Sequence, residues 1–573
     1  MQKYSTVLVL LFISTLISCA QNKGQNYEGE WIGFLSEKPS FNFEISFEKL
    51  EVNTYHIRIA NDEILIDRKL KSSNDDSIQL DIDKQLFFNL KFSPNKDILT
   101  GFIKTGKFYY HISLQNSESN KFVGKWNPFM LDNGLQSEDI NLYVEHTEGE
   151  NLAAYPFFGD QRFRGMWTGD FKRLGDTLLF RDTNTGFNFR AELLKSRISL
   201  EIYLIDAFIT KTSLTHTADG WEYNSNPAKQ TQNLNQPKQL NDGWSTGNIK
   251  DFGIKTNELE RLIDSIQAQA LVNTHSVLIA KKNRLVFENY FDGFNANIPH
   301  DLRSASKSIS SAIIGIAIDD KTIESVDEKL YDFIPQQYQY TKDTLKSKIS
   351  LKDLLTMSSG LDVNNQAGED YYQNPNNTTN EWLQTVLEAP MVKEPGTYAD
   401  YGSANPFLLG IALNERLDIP LEIYMNEKLF APLQISNYIN QTDDSEITPY
   451  FGGGMLLTSR DLLKFGQLYL DKGQWKGKQI ISEKWVNESL EKHVQLQDVQ
   501  DKNEYGYLWW HDTYLINKKP IASIEARGAG GQFIFILPEL ESVVVITSGN
   551  FRNRKGNQPR DILKEFILPA LLN

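Results

Sequence analysis

Hydrophobic and polar positions follow different rhythms in the two halves of the chain. Between about 27 and 217 they alternate with period two. Phe41, Phe43, Ile45 and Phe47 alternate with Asn42, Glu44, Ser46 and Glu48. Ile78, Leu80 and Ile82 repeat the pattern, as do Leu86, Phe88, Leu90 and Phe92. Successive side chains of a strand point to opposite faces, so this rhythm predicts antiparallel strands, each with one buried face. Turn-forming clusters such as Ser73-Asn74-Asp75-Asp76 and Ser93-Pro94-Asn95-Lys96 separate the runs. Gly29-Glu30-Trp31 recurs as Gly124-Lys125-Trp126, and each copy ends in a β-rich run, at 108–114 and 207–214. The repeat predicts two β-modules, 25–120 and 121–217, or one larger barrel made of two halves.

Residues 218–250 are rich in Asn, Gln, Pro and Gly and lack apolar periodicity, which predicts a solvated linker over 218–240. From 241 to 573 helical and strand patterns alternate. Leu259, Leu262, Ile263 and Ile266 share one face of a helix over 258–270. Val277-Leu278-Ile279-Ala280 and Leu285-Val286-Phe287 read as a hairpin turning at Lys281 to Arg284. The Gly-x-Trp openings of the first half loosely resemble those of lipocalin-like barrels. The expectation there is an all-β fold, a lipocalin-like barrel or sandwich repeats, serving as a ligand binder or as a spacer or lid-like accessory.

Composition narrows the function classes. With 59 basic and 74 acidic residues the net charge is −15, and an acidic surface repels phosphate backbones, so no nucleic-acid partner is expected. A single cysteine excludes an internal disulfide framework and Cys-based zinc sites. That cysteine, Cys19, follows a short apolar run, Val7 to Ile17, which reads as a signal-peptide core. Leu16-Ile17-Ser18-Cys19 resembles a bacterial lipobox. The resemblance implies a lipoprotein signal over 1–19 and a lipid anchor on Cys19. With Ala20 next, it implies sorting to the envelope of a Gram-negative bacterium, at the periplasmic face or the outer membrane.

The chemistry concentrates at Arg303-Ser304-Ala305-Ser306-Lys307-Ser308, followed by an apolar stripe of Ile309, Ala312, Ile313, Ile316 and Ala317. This places Ser304 at a helix N-terminus and Lys307 one turn later on the same side. A serine hydroxyl is a poor nucleophile until a base takes its proton, and a lysine of lowered pKa can serve. On spacing alone Ser-x-x-Lys reads as an N-capping serine beside a surface lysine, because the pattern is common by chance. The dense apolar helix that follows favours a buried helix whose polar end faces a cleft.

Ser304-Ala305-Ser306-Lys307 resembles the first motif of serine β-lactamases and penicillin-binding proteins. The surroundings resemble the class C branch and its relatives among esterases, D-aminopeptidases and aminohexanoate-oligomer hydrolases. Two further stretches agree in order: Ile349 to Leu361, with Leu354-Leu355-Thr356-Met357-Ser358-Ser359-Gly360-Leu361, and the glycine-rich turn Gly453-Gly454-Met455-Leu456-Leu457-Thr458-Ser459-Arg460-Asp461-Leu462. Pro395-Gly396-Thr397-Tyr398-Ala399-Asp400-Tyr401-Gly402-Ser403 supplies the family's Tyr-x-Asn/Ser element. Tyr401 falls at the family offset, ahead of Tyr398, and Ser403 takes the Asn or Ser place. The Lys-Thr-Gly motif is replaced by Ala526-Arg527-Gly528-Ala529-Gly530-Gly531-Gln532, which lacks the lysine.

The resemblance implies an α+β β-lactamase/transpeptidase-like domain over 241–573, an antiparallel sheet flanked by helices with an all-α lobe inserted. It implies Ser304 as nucleophile, with Lys307 and Tyr401 moving its proton. Ser403 orients Lys307, and the Ser304 and Ala529 N–H groups form an oxyanion hole. Gly528, Gly530 and Gly531 allow close backbone approach. It implies no metal or cofactor, and as partner a small-molecule or peptide substrate carrying an ester, amide or D-amino acid rather than a β-lactam. Arg527 is a candidate replacement for the missing lysine charge, and His511-Asp512 a candidate for a Ser-His-Asp arrangement. The rival reading is a catalytically degenerate module that binds or senses peptidoglycan. Specificity is expected in the loops around 362–390 and 490–525.

Overall fold

The structure is a computed structural model that describes residues 26–34, 42–61, 64–73, 77–118, 120–128, 139–147, 151–158, 168–217, 234–362, 371–373, 381–497, 503–551 and 553–572. Cys19 and its apolar run, most of the expected linker, and parts of both expected specificity loops lie outside these residues.

The period-two runs form strands as expected. In Phe43–Glu51 the side chains of Phe43, Ile45 and Phe47 are buried, while Glu44 and Glu48 face solvent. The strands of the first half build two barrel-like antiparallel sheets. In one, Phe43–Glu51 pairs with Thr54–Ala60 on one side and with Lys121–Trp126 on the other, so the last strand of the meander returns to its first. In the other, Gly29–Phe34 lies between Asp139–His146 and Ala207–Thr217. Aromatic and aliphatic side chains fill the interiors, with Phe47 edge-on to Phe88 at 5.2 Å and Phe180 stacked on Phe189 at 5.0 Å.

The sheets do not coincide with the expected modules 25–120 and 121–217. Strand Gly29–Phe34 leaves the first and completes the second, while Lys121–Trp126 does the reverse. The two Gly-x-Trp copies therefore fall on strands of different sheets, each paired on both sides: Trp31 on a strand between Asp139–His146 and Ala207–Thr217, Trp126 on one between Phe108–Glu118 and Phe43–Glu51. Alternation specifies which face of a strand is buried, but not which strand becomes its neighbour.

The second half is built around an eight-stranded antiparallel sheet. Its order is Arg284–Tyr290, Thr274–Lys281, Ser542–Ser548, Gln532–Leu537, Lys519–Gly528, Trp510–Ile516, Glu504–Tyr505 and Val494–Gln495. Helix Thr256–Gln267 buries Leu259, Leu262, Ile263 and Ile266 on one face, against Val277, Ile279, Phe535 and Val544. Helix Ser459–Leu470 covers the other face, and helix Lys307–Asp319 packs against helix Ala404–Asn414. Short helical segments between Leu330 and Phe430 form the inserted lobe. This is the expected β-lactamase-like arrangement.

The halves share a sheet. Barrel strand Phe108–Glu118 pairs antiparallel with Tyr438–Gln441, which pairs with Met455–Leu457, which pairs with His300–Asp301. The cores interlock across this seam. Phe102 and Tyr109 of the barrel are buried in the core of the second half, and Ile439 and Leu456 in that of the barrel. Phe102, 1% exposed, lies edge-on to Tyr109, His111 and Tyr438 at 6.1, 5.4 and 6.1 Å. Burial lowers the pKa of His111 to about 4. Truncating a buried phenylalanine to alanine removes its transfer free energy and leaves a cavity. Phe102→Ala is expected to cost about 3–5 kcal/mol, read as a lower urea midpoint. An unchanged midpoint would mean that the seam carries no stability.

Candidate active site

The nucleophile candidate sits where an edge strand becomes a helix. After His300–Asp301, the Leu302 N–H donates to the Met455 carbonyl at 3.0 Å. The Asp301 carboxylate accepts from the Arg303 N–H at 3.0 Å and pairs with its Nε at 2.8 Å. Arg303 adopts φ +48°, a left-handed conformation costly for a side chain of its size, and this turns the chain sharply. Residues Arg303–Ser306 form a 3-10 turn ahead of helix Lys307–Asp319. Ser304 is therefore in the turn, and Lys307 opens the helix. Every residue from Lys307 to Ala317 is buried, so the expected stripe is a helix enclosed on all sides. Two of its serines bond to neighbouring backbone: Ser308 donates to the Leu508 carbonyl at 2.7 Å and Ser310 to that of Phe451 at 3.1 Å.

Lys307 is 1% exposed. Its Nζ donates to Ser304 Oγ at 2.9 Å, to Ser403 Oγ at 2.9 Å and to the Gly452 carbonyl. An ammonium has three protons to donate, and these three acceptors are all neutral oxygens. Ser403 stands at the N-cap of helix Ala404–Asn414, yet its side chain makes no capping bond and faces Lys307 instead.

The ammonium also lies 5.5 Å from the centroid of the Tyr401 ring. Tyr401 packs against Trp510 at 4.9 Å and edge-on to Tyr505 at 6.2 Å. The loop that carries it is stitched to the Leu354 to Leu361 segment: the Asp400 N–H donates to the Met357 carbonyl and the Gly396 N–H to that of Ser358, both at 2.8 Å. Tyr398 lies elsewhere, beneath the Lys393 ammonium at 5.1 Å.

Gly528 ends its strand against the Ser304 turn. A Cβ there would fall 2.1 Å from the Leu302 carbonyl and 3.0 Å from the Ala305 nitrogen. Only glycine allows this approach. Ala529 follows, exposed, at the start of the hairpin. Gly530 and Gly531 turn it with φ +80° and +94°, and the Gly530 carbonyl accepts from the Asn550 N–H at 2.9 Å.

Two sequence candidates are directed elsewhere. Arg527 ion-pairs with Glu525 at 2.7 Å and Asp512 at 2.8 Å, and stacks on Trp510 at 4.7 Å. Its charge is committed to the scaffold because its strand side faces two carboxylates. Asp512 also pairs with Arg560. His511 is buried, with its pKa lowered to about 4 by burial and next by the nearby Lys492 charge. Its charged surroundings are Lys492, Glu504 and His493, so no Ser-His-Asp arrangement forms with Ser304. Trp509 is core, stacked on Phe465 at 5.8 Å. The sequence reading missed the Gly452 carbonyl as an acceptor for Lys307. The only signal was the triple glycine, and a carbonyl's direction is not written in residue type.

The family model described as Beta-lactamase matches residues 259–568. A 6-aminohexanoate-dimer hydrolase of Paenarthrobacter ureafaciens is 23% identical over 313 residues, covering 50% of this chain and 75% of its own. A penicillin binding protein from Bacillus halodurans superposes with TM-score 0.41 at 16% identity, covering 53% of this chain and 97% of that one. A family VIII carboxylesterase gives 0.42 at 14% identity, covering 56% and 99%. The family match takes in the Ser304 turn, the Tyr401 loop, the glycine turn and the Gly528 hairpin over more than half of the sequence, and the chain belongs to the serine β-lactamase-like family.

Proposed function

We propose that the protein is a serine hydrolase that forms an acyl-enzyme at Ser304 and releases it to water. The observation that carries this is the Lys307 ammonium, buried and hydrogen-bonded to Ser304 Oγ and Ser403 Oγ at 2.9 Å each. In the reaction, Ser304 Oγ attacks the acyl carbon while its proton passes to Tyr401. A phenolate is reached near neutral pH only beside a cation, and the adjacent Lys307 is that cation. The oxyanion rests between the Ser304 and Ala529 N–H groups, which need no reorganisation as charge develops. Tyr401 returns the proton to the departing alcohol or amine as the carbon–heteroatom bond breaks. A water molecule then attacks the acyl-enzyme, and Ser304 recovers its proton.

The substrate is a small ester, an amide or a D-amino-acid peptide rather than a β-lactam. Where β-lactamases hold a lysine for the substrate carboxylate, this chain has the fully buried Ala526, and the neighbouring Arg527 is occupied by Glu525 and Asp512. The enzyme acts at the cell envelope, tethered through Cys19.

A fluorophosphonate probe is expected to label the protein at Ser304, and Ser304→Ala to abolish labelling and lower kcat at least about 10³-fold. Absent labelling of the wild type would favour a binding module, and a labelled Ser304→Ala protein another nucleophile. In a screen of p-nitrophenyl esters, D-alanyl peptides and nitrocefin, turnover is expected with the first two. Tyr401→Phe keeps the ring against Trp510 and is expected to lower kcat about 10²–10⁴-fold, measured on the best ester. Gly528→Val forces the hairpin off the nucleophile turn. It is expected to lower kcat about 10²–10³-fold, the cost of one oxyanion donor, with the fold checked by circular dichroism.

A further inference from the structure

The carbonyl that holds Lys307 is not supported by the hydrolase half alone. Gly452 lies in a turn from Tyr450 to Gly454, and both ends of that turn hang on one residue. The Gln441 N–H donates to the Gly454 carbonyl at 2.6 Å, and the Tyr450 N–H donates to the Gln441 carbonyl at 2.8 Å. Gln441 is also the register partner of Phe108, on the barrel strand. The next residue, Thr442, donates its N–H to the Lys107 carbonyl at 2.7 Å. The sheet thus runs unbroken from the barrel to the turn that faces the catalytic lysine.

The tip of the barrel hairpin reaches further. The Lys107 ammonium lies over the Trp382 ring at 4.6 Å. Trp382 is edge-on to Tyr450 at 5.4 Å, and its backbone N–H donates to the Asp444 carboxylate at 2.8 Å. The Tyr450 hydroxyl is hydrogen-bonded to that of Tyr372 at 2.7 Å. The Tyr450 ring leaves so little room over Gly452 that a Cβ there would fall within 2.3 Å of its hydroxyl. Neighbouring Lys104 pairs with Glu446 at 2.8 Å. Burial pulls the Lys107 pKa down, against the carboxylates of Asp444, Glu446, Asp443 and Asp182 that favour its charge. From behind, the second barrel braces the hairpin. Lys107 N–H donates to the carbonyls of Thr183 and Asn184 at 3.0 and 2.8 Å, and Thr105 Oγ1 donates to that of Thr185 at 2.9 Å.

We propose that Lys107, carried by the β-rich half, is a positioning residue for the hydrolase site. By clamping Trp382 against Tyr450 it fixes the Gly452 carbonyl on the Lys307 ammonium. The β-rich half is then a built-in support for the catalytic lysine rather than a spacer. A cation over an indole face is held electrostatically and by direction, which is what a clamp requires. The proposal rests on Ser304 acting as the nucleophile.

The test uses the full chain. Lys107→Met keeps the stem and removes the charge. It is expected to lower kcat and the fluorophosphonate labelling rate about tenfold while KM stays within about twofold. Lys107→Arg restores the cation over Trp382 and is expected to recover most of the rate. Trp382→Phe is expected to lower kcat in the same direction and to be non-additive with Lys107→Met, because both break one contact. A wild type that does not label sinks the hydrolase reading itself. A wild type that labels while Lys107→Met labels equally fast overturns the positioning role. So does a loss that Lys107→Arg fails to restore, or additive losses with Trp382→Phe.

Discussion

One buried cation organises this protein. Taking an ammonium out of water costs several kcal/mol unless its protons find acceptors with good geometry. Lys307 finds them in three stretches far apart in sequence: its own turn at Ser304, the head of a helix at Ser403, and the glycine turn at Gly452. Each stretch must arrive in a set orientation, and the surrounding structure reads as the means of delivering them. Arg303 accepts a left-handed backbone so that Ser304 faces the lysine. Ser403 gives up capping its helix. The Leu354 to Leu361 segment supplies the Met357 and Ser358 carbonyls that hold the Tyr401 loop.

The same cation links the two halves. The glycine turn is anchored on Gln441, and Gln441 belongs to a strand whose other edge is paired by the barrel. An unpaired strand edge is a liability, and closing it with a barrel strand satisfies its backbone groups. Because the halves share a sheet and exchange buried side chains, their cores interlock at the seam. The β-rich half therefore backs the turn whose carbonyl accepts from Lys307.

Recognition at the site follows from where charge has been spent. Arg527 stands beside the position where relatives with Lys-Thr-Gly present a lysine, but Glu525 and Asp512 hold it and Trp510 lies under it. The stack continues from Trp510 to Tyr401. The guanidinium thus braces the wall behind the tyrosine, and the cation hydrogen-bonded to the Ser304 hydroxyl is Lys307.

Periodicity was enough to divide strands from helices, and the resemblance of short motifs to those of a known family singled out Ser304, Lys307, Tyr401 and Ser403, because both are written residue by residue. Neither revealed that Gly29–Phe34 and Lys121–Trp126 exchange sheets, since a strand's neighbour is chosen by register with distant chain. The Gly452 carbonyl was equally hidden, because every residue carries a carbonyl and only the path of the backbone decides where it points. The fate of Arg527 depended on two carboxylates that only the folded sheet sets beside it. The sequence by itself determined the rhythm of strands and helices and the candidate groups; the tertiary structure alone decided what holds them, because long-range pairing and backbone direction have no signature in a linear string.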